Sequence, residues 1–223
     1  IFYKGEIVSF SCTVIHWADM GGPMPGTFNP EATTCFAEGI RIPPIRLFKN
    51  NELDEELFSM IEINIRGAVE RRADMKAQFE AARLIDRRVV ELCEKYGVET
   101  LFQACEEQFN YSERMMLAEL KSLPDGEWEF EDFGDQDVMA EGKPPIRVHC
   151  KLTKVGSKLS FDWTDSDPQP KASWGGSRAT LIGGNYLGFM ICFPQLFPLN
   201  HGIIRNLEIV SKPGTCVDVV FPA

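Results

Sequence analysis

No stretch of the sequence reaches the roughly 18 apolar residues that a membrane-spanning helix needs, so no helical membrane span is expected. Basic charge is short: 23 Lys and Arg stand against 33 Asp and Glu, a formal net charge of -10. A chain with no basic excess offers no face for a phosphate backbone, so nucleic acid is not expected as a partner. No Gly-rich loop ends in the Lys-Ser/Thr of a phosphate cradle, and no GxGxxG follows an expected strand. The chain therefore shows no nucleotide site of its own. There is no GxSxG elbow, and the one cysteine beside a histidine, Cys150, falls in an expected strand, which disfavours a Ser or Cys hydrolase. The carboxylate-rich turn from Asp162 to Gln169 lacks the glycine and closing Glu of a calcium loop. Seven cysteines include no CxxC pair and lie mostly in apolar segments. They are expected to be buried and reduced, as in a cytoplasmic protein.

What is present is globular in character. Hydrophobic residues make up 44% and charged residues 25%, which argues against wholesale disorder. A length of 223 residues suits one large domain or two small ones. The sequence begins Ile1-Phe2-Tyr3, without Met or a signal-peptide pattern, and ends Val219-Val220-Phe221-Pro222-Ala223. Both ends are expected to be cuts inside a longer protein.

The expected fold is α+β, with a central helical hairpin or bundle over about 52–121 between β-rich flanks. Residues 1–50 read as a strand, with Ile7 to Ile15 rich in β-branched and aromatic residues, and a long Gly/Pro loop over 16–50. Residues 51–123 read as three helices: one capped by Asp54, one from about Ala73 to Tyr96 before Gly97, and one from about Val98 to Leu120. Residues 124–223 read as β-rich with one buried helix over 179–193, where Gly183, Gly184 and Gly188 would permit close packing, and a last strand from Ile203 to Val210. The stretch 124–142 holds eight acidic residues, Asp125 to Glu141, and no Lys or Arg, so the acidity of the chain is local. A solvated hairpin is the expected form.

The chain has only three histidines. His149 lies in an alternating strand and reads as structural. His16 and His201 sit in Gly/Pro-rich loops. His16-Trp17-Ala18-Asp19 follows a β run and precedes Gly21-Gly22, so an imidazole and a carboxylate can share one cavity. An HxxD pair suits a divalent ion with mixed nitrogen and oxygen ligands, such as Mn, Fe or Zn, though a loop His bonded to a local Asp has the same spacing. A further ligand is needed, with Glu38 and His201 as candidates. Asn64, Arg66, Asp74 and Gln78 form a second polar cluster. Asp74 and Gln78 share a helix face, as substrate contacts or as a cap and interhelical bond. Arg66, Arg71 and Arg72 can hold a phosphate or carboxylate, or form a solvated face.

Taken in order, these segments resemble the hydantoinase B/oxoprolinase family. The resemblance rests on His16-Trp17-Ala18-Asp19-Met20-Gly21-Gly22, Pro25-Gly26-Thr27 and Glu38-Gly39-Ile40-Arg41-Ile42-Pro43-Pro44. It continues through Asn64-Ile65-Arg66, Ala73-Asp74-Met75-Lys76-Ala77-Gln78, Leu123-Pro124-Asp125-Gly126 and Asn200-His201-Gly202. It implies a fragment of a larger B-type subunit that works in a hetero-oligomer with an A-type partner carrying ATP and Mg. It implies a small-molecule substrate: a hydantoin, oxoproline or lactam opened with ATP, or, in the carboxylase branch, a ketone. A non-catalytic subunit that positions the partner is the remaining alternative. The resemblance favours His16 and Asp19, with His201, as metal ligands, and Glu38 as third ligand or general base. It places Asp74 beside the chemistry and Asn64, Arg66 and Gln78 as substrate contacts or supports. Ala73 and Asp165 stand where the family often has Gly. Ala172-Ser173-Trp174-Gly175-Gly176 stands where hydrolase-type members commonly carry an Asn-rich stretch, which leaves the carboxylase branch open.

Overall fold

The computed structural model describes residues 1–135, 137, 139, 142, 144–193 and 198–222. The fold is mixed α+β, and the chain divides into two compact units, Ile1–Phe102 and Gln103–Ala223.

The N-terminal unit opens with a small hairpin, β1 (Phe2–Tyr3) and β2 (Glu6–Ile7). Its turn has positive φ at both Lys4 and Gly5, the geometry that matches the twist of a two-residue hairpin. The long strand expected over residues 7–15 does not form. Phe10 and Val14 are exposed, and beyond Ile7, which belongs to β2, the β-branched run joins no sheet among the described residues. A second hairpin lies inside the expected loop: β3 (Phe48–Lys49) and β4 (Glu52–Leu53) join through Asn50 and Asn51, both at positive φ. Asn tolerates that backbone region better than most residues.

Helix α1 (Glu55–Glu62) starts where the sequence places it, because the Asp54 carboxylate accepts the Leu57 N–H at 3.1 Å. Helix α2 (Ala68–Tyr96) begins five residues earlier than the expected Ala73. Its N-cap, Gly67, is left-handed with φ of 64° and gives no side-chain cap, so the usual start signal is missing. Gly97, with φ of 83°, ends α2, and α3 (Val98–Ser122) follows at once. Phe58, Ile61, Ile65 and Met75 form the buried core of this unit. Trp17, Met20, Ile40 and Leu47 pack on it, so the glycine-rich loop rests on the α1–α2 corner.

The C-terminal unit holds most of α3 and a four-stranded sheet in the order β5 (Gly126–Gly134), β6 (Ile146–Val155), β7 (Lys158–Asp162), β8 (Leu207–Val210). The first three strands are antiparallel, and β8 runs parallel to β7 after a crossover through α4 (Arg178–Cys192). A parallel pair requires such a crossover. The expected strand from Ile203 is shorter than predicted, because His201–Ile204 is a 3-10 turn capped by the Asn200 side chain. Met116, Leu120, Leu159, Phe189 and Ile203 form the core.

Helix α4 is not a buried helix. Only Asn185 and Phe189 are buried, and Gly183, Gly184 and Gly188 have open space where a Cβ would stand. The glycines therefore do not serve close packing among the described residues. The described part of the acidic stretch is largely the exposed strand β5, antiparallel to β6, as a solvated hairpin requires. Glu127 pairs with Lys151 at 3.0 Å and Glu131 with Arg147 at 2.6 Å, so β6 supplies balancing charges for these two across the strand pair, while Glu129 lies 3.6 Å from the His149 ring nitrogen. Glu141 lies outside the described residues. All seven cysteines are free thiols, but only Cys93 and Cys216 are buried, and Cys12, Cys105 and Cys192 are exposed. An apolar sequence neighbourhood does not translate into burial for these three.

Candidate functional site

Asp19 organises the glycine-rich loop of the N-terminal unit. It is 7% exposed. One carboxylate oxygen accepts the Gly21 N–H at 2.8 Å and the other accepts the Gly26 N–H at 2.7 Å. The Arg66 guanidinium reaches both oxygens, at 3.4 and 3.2 Å, and donates to the carbonyls of Gly22 at 2.7 Å and Met24 at 3.3 Å. The backbone amides of Gly21 and Gly26, and then Arg66, hold the Asp19 pKa down to about 2. Because this lies below the ordinary value of 3.8, the charged form favours the folded loop. That contribution is complete above about pH 4 and is lost as pH falls toward 2. We expect the Gly21 and Gly26 amide proton shifts to titrate with a midpoint near pH 2, and Asp19→Asn to abolish that titration. A midpoint near pH 4 would mean that the clamp does not exist.

The loop needs its glycines. Gly21 has φ of 87°, and a Cβ there would lie 2.5 Å from the Asn64 carbonyl oxygen. Gly39 has φ of 120°, and its Cβ would lie 2.5 Å from the Met20 carbonyl oxygen, which also accepts the Ile40 N–H at 2.8 Å. Gly22 packs on the backbone of residues 37–39. The structure thus brings Asp19, Glu38, Asn64 and Arg66 to one turn. Glu38 closes a 3-10 turn, Cys35–Ala37, and its exposed carboxylate has no hydrogen-bond or ion-pair partner among the described residues. It is sterically free to move a proton. Asn64 donates its side-chain amide to the Met60 carbonyl at 2.7 Å, so its backbone rather than its amide faces Gly21.

No hydrogen bond or ion pair joins Asp74 or Gln78 to this turn among the described residues. Asp74 lies 3.1 Å from the Arg71 Nε as a charge pair without an aligned hydrogen bond. Gln78 donates to the Thr13 carbonyl at 3.0 Å and so pins the segment that leads to His16. The three arginines do not form an anion site. Arg66 is taken by Asp19, Arg71 by Asp74, and Arg72 by Glu55 and Glu62 at 2.6 Å each. The acids of α1, α2 and the loop neutralise them in place.

As folded, these residues do not fit a divalent ion. His16 is exposed and has no hydrogen bond or ion pair among the described residues. Both Asp19 oxygens are committed to backbone amides and to a guanidinium, whose positive charge opposes a cation. His201 belongs to the other unit, where its ring packs edge-on to Phe109 at 6.1 Å. Among the described residues no group of three or more His, Cys, Asp or Glu is arranged to hold a metal. For Asp19 to ligate one, Arg66 has to leave.

The scaffold that carries this turn is mixed α+β, and comparison with known proteins places the whole chain in a family. The profile of the hydantoinase B/oxoprolinase family matches residues 1–223. The chain belongs to that family. It is 33% identical, over its whole length, to the putative B-type subunit of a D-/L-hydantoinase from Pseudomonas sp. (strain NS671), covering 39% of that protein. It is 29% identical to the beta chain of the caprolactamase of Pseudomonas jessenii, covering all of this chain and 38% of that one. It is 25% identical to the acetophenone carboxylase delta subunit of Aromatoleum aromaticum, covering 97% of this chain and 32% of that one. The crystal structure of the ATP-dependent caprolactamase from Pseudomonas jessenii superposes with a TM-score of 0.84 at 28% identity, over 93% of this chain and 36% of that one. The chain thus spans about two-fifths of the hydantoinase and caprolactamase relatives and about a third of the carboxylase one.

Sequence reasoning misses two features of the turn. Thr27 sits at φ of 65° and its hydroxyl accepts the Met20 N–H at 2.5 Å. Gly39 is visible as part of a motif, but not as a place where two backbones touch. A glycine followed 18 residues later by another, each between otherwise varied neighbours, does not announce that they meet.

Proposed function

We propose that this chain is the N-terminal-clamp and sheet portion of a B-type subunit of an ATP-dependent cyclic-amide hydrolase, acting with an ATP-binding A-type partner on a hydantoin, an oxoproline or a lactam. The observation that carries it is the 33% identity, over the whole chain, to the putative B-type subunit of a hydantoinase, supported by the likeness to an ATP-dependent caprolactamase. On this reading ATP phosphorylates the ring carbonyl oxygen and releases ADP; water adds to that carbon, the C–N bond breaks as the nitrogen takes up a proton, and hydrolysis of the resulting acyl phosphate releases phosphate and the ring-opened acid. Glu38, beside the clamped turn and without a partner among the described residues, is the general base that takes the water proton. Asp19 and Arg66 hold the turn in shape rather than touching substrate.

A second reading, a ketone carboxylase subunit, has the acetophenone carboxylase relative in its favour. One experiment separates the two. The assembled enzyme is incubated with ATP and a panel of hydantoins, oxoproline, lactams and ketones, with and without bicarbonate. Ring-opened acid formed without bicarbonate is the expected result. Product formed from ketones alone, and only with bicarbonate, would reject the hydrolase reading.

A further inference from the structure

The C-terminal unit carries a large apolar groove that the proposed chemistry does not use. It has a volume of about 990 Å³ and runs between one face of the β5–β7 sheet and α4. Trp128, Phe130 and Phe161 line the sheet side, and Gly184, Gly188 and Phe189 the helix side. The cavity matches the upper end of small-molecule sites, about 300–1,000 Å³, but such sites need convergent polar groups to orient a ligand. Here the polar groups are already engaged. Asn185 accepts from the Trp163 indole at 3.2 Å and donates to the Leu181 carbonyl at 2.7 Å. Glu129 faces His149 at 3.6 Å. Burial pushes the Cys150 thiol up to about 11, so it lines the groove as a neutral group.

The helix wall shows what shape of occupant fits. Gly184 and Gly188 are one turn apart on the same face, and a Cβ at either would meet no atom within 4 Å. Glycines at that spacing open a path for a second backbone to come close, which a helix can follow. Of the lining residues, Phe130 is 72% exposed and Trp128 44%, and apolar surface of this kind marks an interaction site. The matched relatives hold more than half of their length outside the part this chain aligns with.

We propose that this groove seats an apolar helix from the part of the B-type subunit outside these 223 residues. The proposal rests on the B-type-subunit part of the reading above, not on its chemistry. The test uses the full-length subunit in its assembled enzyme, with Phe130 replaced by the photoreactive p-benzoylphenylalanine. The expected cross-link joins position 130 to a peptide of the same polypeptide outside the 223 residues. A cross-link to the A-type partner, to a second copy or to nothing overturns the proposal. In parallel, Gly188→Leu in the full-length subunit should lower Tm by several degrees, because the added side chain occupies space that the seated helix needs. An unchanged or raised Tm also counts against it, since Leu alone favours a helix over Gly. The cross-link reads the groove and ATP-dependent product reads the chemistry, so either idea can fail alone.

Discussion

If Glu38 is the base of the proposed ATP-dependent hydrolysis, Gly39→Ala should lower kcat/KM of the assembled enzyme for that reaction by about 100-fold. The added Cβ would stand 2.5 Å from the Met20 carbonyl oxygen and 3.0 Å from its carbon, at a φ of 120° that L side chains rarely adopt. Both obstacles are backbone, so no side chain can swing aside. The turn that carries Glu38 must then part from the turn that carries Asp19. A displacement near 1 Å at a catalytic group costs on the order of 100-fold in rate. Gly5→Ala supplies the control: its φ is 87°, but open space surrounds the new methyl group. It carries backbone strain without a collision. Full activity in Gly39→Ala would show that the contact between these two turns has no part in the chemistry.

Phe58→Ala should be the most destabilising single change in the N-terminal unit. Phe58 is fully buried, at 0% exposure, among Ile61, Ile65 and Met75, and its ring meets that of Phe79 at 6.0 Å. Truncating a buried Phe costs about 3–5 kcal/mol through lost transfer free energy and the cavity left behind. At about 2–4 °C per kcal/mol for a chain of this size, Tm should fall by roughly 6–20 °C. Calorimetry gives the number, and hydrogen exchange gives the place. Amides of α1 and of the loop resting on it should lose protection, while β6 and β7 keep theirs. Equal loss in both units would mean that they unfold as one.

Signals in the sequence are legible where they act locally. Asp54 caps its helix, Gly97 ends another, and the alternating β5 to β7 segments become paired strands, because a cap, a breaker or a pleat is decided by neighbours a few residues away. The failures share a cause as well. Residues 8–15 have strand composition but no partner strand among the described residues, and composition cannot supply one. Gly67 starts α2 without a side-chain signal. Gly183, Gly184 and Gly188 look like packing glycines, yet what packs on them is not among the described residues. The candidate site divides along the same line. The motif carrying Asp19, Gly21 and Gly22 is visible, and so is Arg66. That Arg66 neutralises Asp19, and thereby removes both from the roles the spacing suggests, depends on two segments 47 residues apart meeting in space.

That separation has a consequence for how the loop is kept ordered. Closing a segment of this length costs chain entropy that grows only slowly with the number of residues enclosed. The loop itself contributes few buried side chains toward that cost, since most of residues 22–46 are exposed. Its order is therefore borrowed from the corner where α1 hands over to α2, through the packing of Trp17, Met20, Ile40 and Leu47 and through a guanidinium that holds one carboxylate and two carbonyls. Such a segment can open without the rest of its unit melting. Arg66 therefore acts at a distance from the Glu38 turn: it holds Asp19 and the carbonyls of Gly22 and Met24, and Gly22 in turn packs on the backbone of residues 37–39.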